Sequence, residues 1–322
     1  MTARRLSRYL ILLGSALALP AAAEDPRYTL AMDIQPDGLA VLYPDLAEPY
    51  RTVFTQIIQG IEEKSPNKVE RLAIAAPNDT AGVSGELKKR GVKTVIALGR
   101  NGLKLANDLG PDISIIGGCV LVVPEEEAKH EVVLSLAPDP ALLFNRLKAV
   151  APSVGRVFVV YDPAQTGWLV ALAQKSGKAK GLEVVGRPVA DLKAALQEYK
   201  DILTQIDPRR DAVWLPQDTT TVEESTVVPL LLQEAWNRQF VLFSSNIGYV
   251  RRGALFALYP DNKGLGHSLA ALAAEEAAGG RRTGLLPLGD VLMGVNVRTA
   301  EHLGLSLSKA EQQGFDLVFP ER

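Results

Sequence analysis

From Leu39 onward the apolar residues come in short β-branched runs, each separated from the next by a longer stretch whose apolar positions recur with helical period. A short run without polar alternation suits a strand buried on both faces, and a parallel neighbour is reached only through a crossover, which a helix supplies. The alternation therefore predicts an α/β fold, parallel sheets covered by helices. In the first half, strands are expected at 39–43, 69–75, 94–98 and 113–116, with helices at 49–64, 82–90 and 101–109 between them. The first helix places Phe54, Ile57, Ile58 and Ile61 on one face. Residues 120–136 change character: an apolar run, Pro124, a charged stretch and a second apolar run at 132–136 read together as a crossover.

The second half repeats the pattern. Strands are expected at 156–160, 182–185, 212–215, 240–243, 254–258 and 290–295, and helices at 166–180, 191–206, 223–237 and 262–278. Two similar lobes follow, and no low-complexity segment separates them, so the chain is expected to cross between them several times. With 47% hydrophobic and 22% charged residues, the chain can bury a sizeable core in each lobe.

A net charge of -2 provides no field that would draw nucleic acid or an anionic membrane, and no aromatic-interleaved basic cluster occurs. Cys119 is the only cysteine, so no internal disulfide forms; beside Gly117 and Gly118 it reads as a small buried apolar side chain. At the N-terminus, Arg4, Arg5 and Arg8 precede an apolar run over 9–19, and Ala21-Ala22-Ala23 offers a small-residue cleavage site before Glu24. That is the pattern of a secretory signal peptide, with an apolar run short of the ~20 residues needed to cross a bilayer. Residues 1–23 are expected to be removed near Ala23, leaving a periplasmic protein with no membrane insertion.

Parallel sheets bind ligands beyond the carboxyl ends of their strands, where helix N-termini present unpaired N–H groups. In the first half those positions hold Tyr43 and Asp45, the loop 76–80, and Gly99, Arg100 and Asn101. In the second half they hold Tyr161, Asp162, Gln165 and Thr166, then Gln217, Asp218 and Thr219, then Ser245 and Asn246. Arg100 suits a carboxylate, the tyrosines can enclose a ring, and Asp162 and Asp218 suit either a ligand cation or a helix cap. The expected ligand-binding set is Tyr43, Asp45, Gly99, Arg100, Asn101, Tyr161, Gln165, Asp218, Thr219, Ser245 and Asn246.

Signals for chemistry are weak. The loop Tyr43-Pro44-Asp45-Leu46 is no dinucleotide cradle, and no phosphate-binding Walker loop occurs. His130, His267 and His302 lack metal-ligand spacing. The segment from Gly266 to Ala270 is close to a nucleophile elbow, but Ser268 falls inside an expected helix instead of on a strand-to-helix turn. No enzyme activity, cofactor or metal is expected.

Several segments resemble the substrate-binding proteins of ABC importers, in their tryptophan/tyrosine-type group, which has the type I periplasmic binding fold. They are 135–140, 156–163, 249–255, Leu265-Gly266-His267, and 295–305, with its asparagine, alanine and Leu-Gly ending. The resemblance implies two Rossmann-like lobes joined by three crossings: 24–135 plus 254–287 in one, 136–253 plus 288–322 in the other. It places hinges around Ser135, 245–253 and 286–288. Arg100 departs from the small hydroxyl residue that members commonly carry there. The implied function is capture of a small polar or amphipathic solute, an amino acid or other carboxylate, for a membrane permease. A sensor reporting to a membrane receptor is the alternative, and a secreted α/β hydrolase a more distant one.

Overall fold

A computed structural model describes residues 38–74, 80–121 and 131–321. The signal-peptide reading lies outside the described residues, as does most of the loop at 76–80.

The first sheet takes β1 (Gly38–Pro44), β2 (Val69–Ile74), β3 (Val92–Leu98), β4 (Ser114–Val120), β5 (Val132–Pro138) and a late strand, β11 (Gly284–Leu288). Its order is β11-β5-β4-β3-β1-β2, parallel at every pairing. Helices α1 (Tyr50–Lys64), α2 (Thr80–Lys89), α3 (Gly99–Asn107) and α9 (Asn262–Ala277) cover it. Alternation along β1 fills two cores: Leu39 and Val41 pack with Ile57 of α1 and Leu269 of α9, whereas Ala40 and Leu42 pack with Leu87 of α2 and Leu103 of α3.

The second sheet takes β6 (Arg156–Tyr161), β7 (Glu183–Pro188), β8 (Asp211–Leu215), β9 (Val241–Ser244), β10 (Phe256–Pro260), β12 (Val291–Asn296) and β13 (Leu317–Phe319). Their order is β13-β12-β10-β9-β8-β6-β7, parallel except where β12 runs against β10. Here Val157 and Val159 pack with α4 (Pro140–Val150) and α5 (Pro163–Ala179), and Phe158 and Val160 with α6 (Leu192–Gln205) and α7 (Val227–Arg238). Three short helices, α8 (Ile247–Arg252), α10 (Val297–His302) and α11 (Lys309–Gln313), complete the described chain. Aspartates start several helices: Asp139, Asp162, Asp191 and Asp261 each accept a backbone N–H of the first turn, and prolines follow Asp139 and Asp162.

The α/β architecture with two mostly parallel sheets is the one the alternation implies; several details differ. Helix α4, strands β11 and β13 and the short helices α8, α10 and α11 had no expected counterpart, and Ser135 and 286–288, expected as hinges, lie within β5 and β11 of the first sheet. The run at 132–136, expected to belong to a crossover, is β5, a regular member of the first sheet. β10 belongs to the second sheet, because Ala257 pairs with Ser244 and all of β10 pairs with β12. The chain therefore returns to the first sheet after Pro260, not at 253–254, and residues 245–253 form a loop and α8 inside the second lobe instead of a hinge. The crossings are 138–140, 260–262 and 288–291. They lie side by side: Asp139 N donates to Leu288 O at 2.9 Å, and Asp261 N to Asp290 O at 3.0 Å.

Candidate functional site

Where the crossings meet the carboxyl ends of the second sheet, the structure forms an open cavity of about 620 Å³. This falls within the ~300–1,000 Å³ usual for small-molecule sites. One wall comes from α1, through Gln56 and Gln59. The opposite wall comes from the loops after β8 and β9, through Gln217, Ser245 and Asn246. Tyr259, near the end of β10, and Asp261 and Asn262 of the middle crossing line the side nearest the crossings. Elements packed on both sheets thus contribute to one space.

The second-lobe wall is built by hydrogen bonds. Asp218 is 2% exposed. One of its oxygens accepts from Asp162 N at 2.8 Å and Thr166 Oγ1 at 2.7 Å, the other from Thr220 N at 3.1 Å and Thr221 N at 3.0 Å. Those four donors occupy the carboxylate, so Asp218 holds the β6 and β8 loops together and leaves the expected ligand-facing set. Gln165 makes a second clamp: its Oε1 accepts from Thr219 N at 3.1 Å and Thr219 Oγ1 at 2.9 Å, and its Nε2 donates to Thr220 Oγ1 at 2.5 Å. Asp162 joins this network. Desolvation raises its pKa, but the hydrogen bonds from Ala164 N, Thr220 Oγ1 and Gln165 outweigh it, and the net shift is downward.

Ser245 is 1% exposed, and its Oγ accepts the indole N–H of the buried Trp214 at 3.1 Å. Asn246 caps α8 by accepting Gly248 N at 2.9 Å, and its own N–H donates to Ser244 Oγ at 3.0 Å. Both line the cavity. Of the residues expected from the sequence, these two are the ones the cavity gathers.

The others take different places. Tyr43 is half-buried against the first core and Tyr161 against the second. Asp45 is exposed and 3.9 Å from Arg51. Gly99 opens α3 with φ +73°, and its role is conformational, since nothing crowds a Cβ there more closely than Phe54 at 3.8 Å. Arg100 and Asn101 follow it, exposed on the first turn of α3. Among the described residues Arg100 has no ion-pair partner.

Gln56, Gln59, Gln217, Tyr259 and Asn262 line the cavity outside the expected set. Gln217 had a signal, lying one residue before Asp218 beyond a strand end. Gln56 and Gln59 had none, because polar positions flanking Ile57 and Ile58 on an amphipathic helix read as solvated. Asn262 Nδ2 donates to Gln56 Oε1 at 2.8 Å, tying the start of α9 to α1.

Charge in the cavity wall is mostly committed. Lys263 Nζ lies 2.7 Å from Glu63 Oε1, and Asp261 Oδ1 accepts Lys263 N and Gly264 N, each at 3.1 Å. Hydrogen bonds from Lys263 and then His267 hold the Glu63 carboxyl below its usual range. The elbow-like segment separates its members: His267 Nε2 meets Glu63 Oε2 at 3.1 Å, whereas Ser268 Oγ donates to Asp290 Oδ2 at 2.5 Å. Among the described residues no cluster of His, Cys, Asp and Glu forms a metal site, and no helix is long and apolar enough to cross a membrane.

A two-sheet α/β protein with a cavity at its crossings defines the class of the type I periplasmic binding fold. The family model for the ABC transporter substrate binding protein matches residues 143–303, and the chain belongs to that family. A substrate-binding protein with adhesive properties from Clostridium difficile, in its ligand-free, open structure, aligns with a TM-score of 0.58 at 17% identity, covering 85% of this chain and 97% of that one. The ABC domain from Streptococcus pneumonia in complex with L-Trp aligns with a TM-score of 0.52 at 15% identity, over 88% of this chain and 100% of that one. A conserved domain protein of Vibrio cholerae gives 0.51 at 17% identity, over 88% and 99%. At these identities the likeness is one of fold. No curated protein matches the chain.

Proposed function

We propose that this protein is the periplasmic solute-binding component of an ABC importer: it closes two lobes around a small polar or amphipathic solute, performs no chemistry on it, and presents it to a membrane permease. The observation that carries this reading is the cavity at the crossings, walled by α1 on one side and by the β8 and β9 loops on the other. A ligand bridging two lobes favours the closed arrangement by its differential affinity for it, and a permease that recognises that shape selects loaded protein. The N-terminal export pattern and the family membership support the same role.

Within this reading Arg100 recognises a carboxylate, as an exposed guanidinium at the carboxyl end of β3 with no competing anion among the described residues. An amino acid or related carboxylate is the favoured solute. The test is a thermal-shift and calorimetric screen of the mature protein against amino acids, other carboxylates, sugars and nucleosides. A binder at 100 times its Kd stabilises by ~2.7 kcal/mol, and the recovered solute is expected to be chemically unchanged. A screen without one binder, or turnover of a bound compound, refutes the proposal.

A further inference from the structure

Gln217 stands apart in the cavity wall. It lines the space, yet its side-chain Oε1 is shut off from solvent and accepts no hydrogen bond. A buried amide oxygen without a donor is costly, because folding removes its water and returns nothing. Its neighbours are satisfied from within the protein: Asp218 has four donors, Ser245 Oγ has the Trp214 indole, and Asn246 Oδ1 has Gly248 N. Among the described residues, Gln217 Oε1 is the buried side-chain acceptor of this loop that has no donor, and it lies in a residue lining the cavity.

Resting on the solute-capture reading above, we propose that Gln217 is a specificity-determining residue: its Oε1 accepts a hydrogen bond from a donor group of the bound solute, an ammonium or a hydroxyl. The oxygen is shut off from solvent as it stands, so the proposal requires the terminal amide to turn about its last torsion, which is soft, when the solute binds. The surroundings favour a donor over an anion at this end. Gln56, Gln59 and Asn262 are neutral amides, the ammonium of Lys263 is engaged by Glu63, and Asp261 brings negative charge. On the solute-capture reading above, a carboxylate of the same solute would meet Arg100 as the lobes close. The site then reads a solute by polarity, donor at the β8 loop and acceptor at α3. A site built to bond a donor rejects the analogue lacking it, because rejection leaves a buried polar atom unpaired.

The experiment compares matched pairs: amino acids, their hydroxy-acid counterparts and the plain acids carrying hydrogen at that position, together with sugars and their deoxy forms. Affinity is read by calorimetry and by the fluorescence of Trp214, whose indole is bonded to the cavity residue Ser245. Wild-type protein is expected to prefer the donor-bearing member of a pair by roughly tenfold or more, and the amine and hydroxyl arms identify which donor. Gln217→Leu is expected to abolish that preference while ligand-free protein melts at or above the wild-type temperature, since the orphaned acceptor is gone; Gln217→Glu, which keeps an acceptor, retains the preference. Binding with no donor preference, or a preference that survives Gln217→Leu, overturns this assignment and leaves solute capture standing. Failure of every pair to bind overturns both. If Gln217→Leu does not fold, Gln217→Met supplies the same comparison.

Discussion

Asp162 illustrates how one side chain serves two local purposes. It caps α5 through Ala164 N at 2.9 Å, and its other oxygen accepts Thr220 Oγ1 at 2.9 Å from the β8 loop. These bonds favour the ionised form, so its folded pKa lies below the ordinary aspartate value. The unfolded chain therefore binds the proton more readily, and the stabilisation is present above the unfolded value of about 3.9 and lost as pH falls through the lower folded one. Asp162→Asn keeps an acceptor for the cap but does not titrate. Urea unfolding at neutral pH is expected to find the wild type more stable than the variant, with the gap closing below about pH 4; a gap that stays constant contradicts this role. At this scale the sequence was legible only in part. Asp162 and Asp218 stood out at strand ends, but a carboxylate that binds a ligand and one that binds its own loop have the same sequence signature. The four donors to Asp218 come from positions 162, 166, 220 and 221, and only the fold brings them together.

At the level of elements, the pair α1 and α9 carries the first-lobe wall of the cavity. The helices approach so closely that a Cβ on Gly60 would lie 2.2 Å from Lys263 O, and one on Gly266 would lie 2.2 Å from Ile57 O. Both obstructions are backbone, so neither yields by a rotamer change. Gly266→Ala is expected to push the helices apart and destabilise by ~1–3 kcal/mol, measured by chemical unfolding. It is also expected to weaken solute binding under the proposed function, because Gln56 and Asn262 are the pair whose 2.8 Å bond sits at that contact. Unchanged stability and affinity would show that the helices are not in this contact. Most of the strands and longer helices were legible because the central strand runs are apolar on both faces and those helices carry an apolar stripe; α4 (Pro140–Val150), β11, β13 and the short helices were not. What escaped was membership: β10 reads as an ordinary apolar run, and nothing in a run says which sheet it joins. Its placement is decided by pairing with β12 and β9, a long-range choice that moved the middle crossing to Pro260 and Asp261.

For the whole molecule, the position of the cavity decides how binding and closure are coupled. Pro260, Asp261 and Asn262 belong both to a crossing and to the cavity wall, so under the proposed function a solute bound there is expected to sit next to the axis about which the lobes would turn. Rotation about such an axis displaces the near side little and the outer rim much. On the proposed reading, Gln217, Ser245 and Asn246 are expected to meet the solute in the open form, and Arg100, on α3, to engage it on closing. The crossings are narrow and stitched to one another by Asp139 N to Leu288 O and Asp261 N to Asp290 O, which favours a hinge bend over sliding. Spin labels on Lys104→Cys in α3 and Ala164→Cys in α5, both at exposed positions, measure this directly. Desolvation pushes the thiol of the native Cys119 up to about 12, so it stays protonated at neutral pH and is expected to remain unlabelled. Saturating solute is expected to shorten the distance between the labels in the double variant. In the Arg100→Ala background, solute still enters, through the hinge-side residues, but the short distance is less populated and the dissociation rate rises. A label distance indifferent to bound solute would mean that the two sheets form a fixed frame and that recognition does not work by closure.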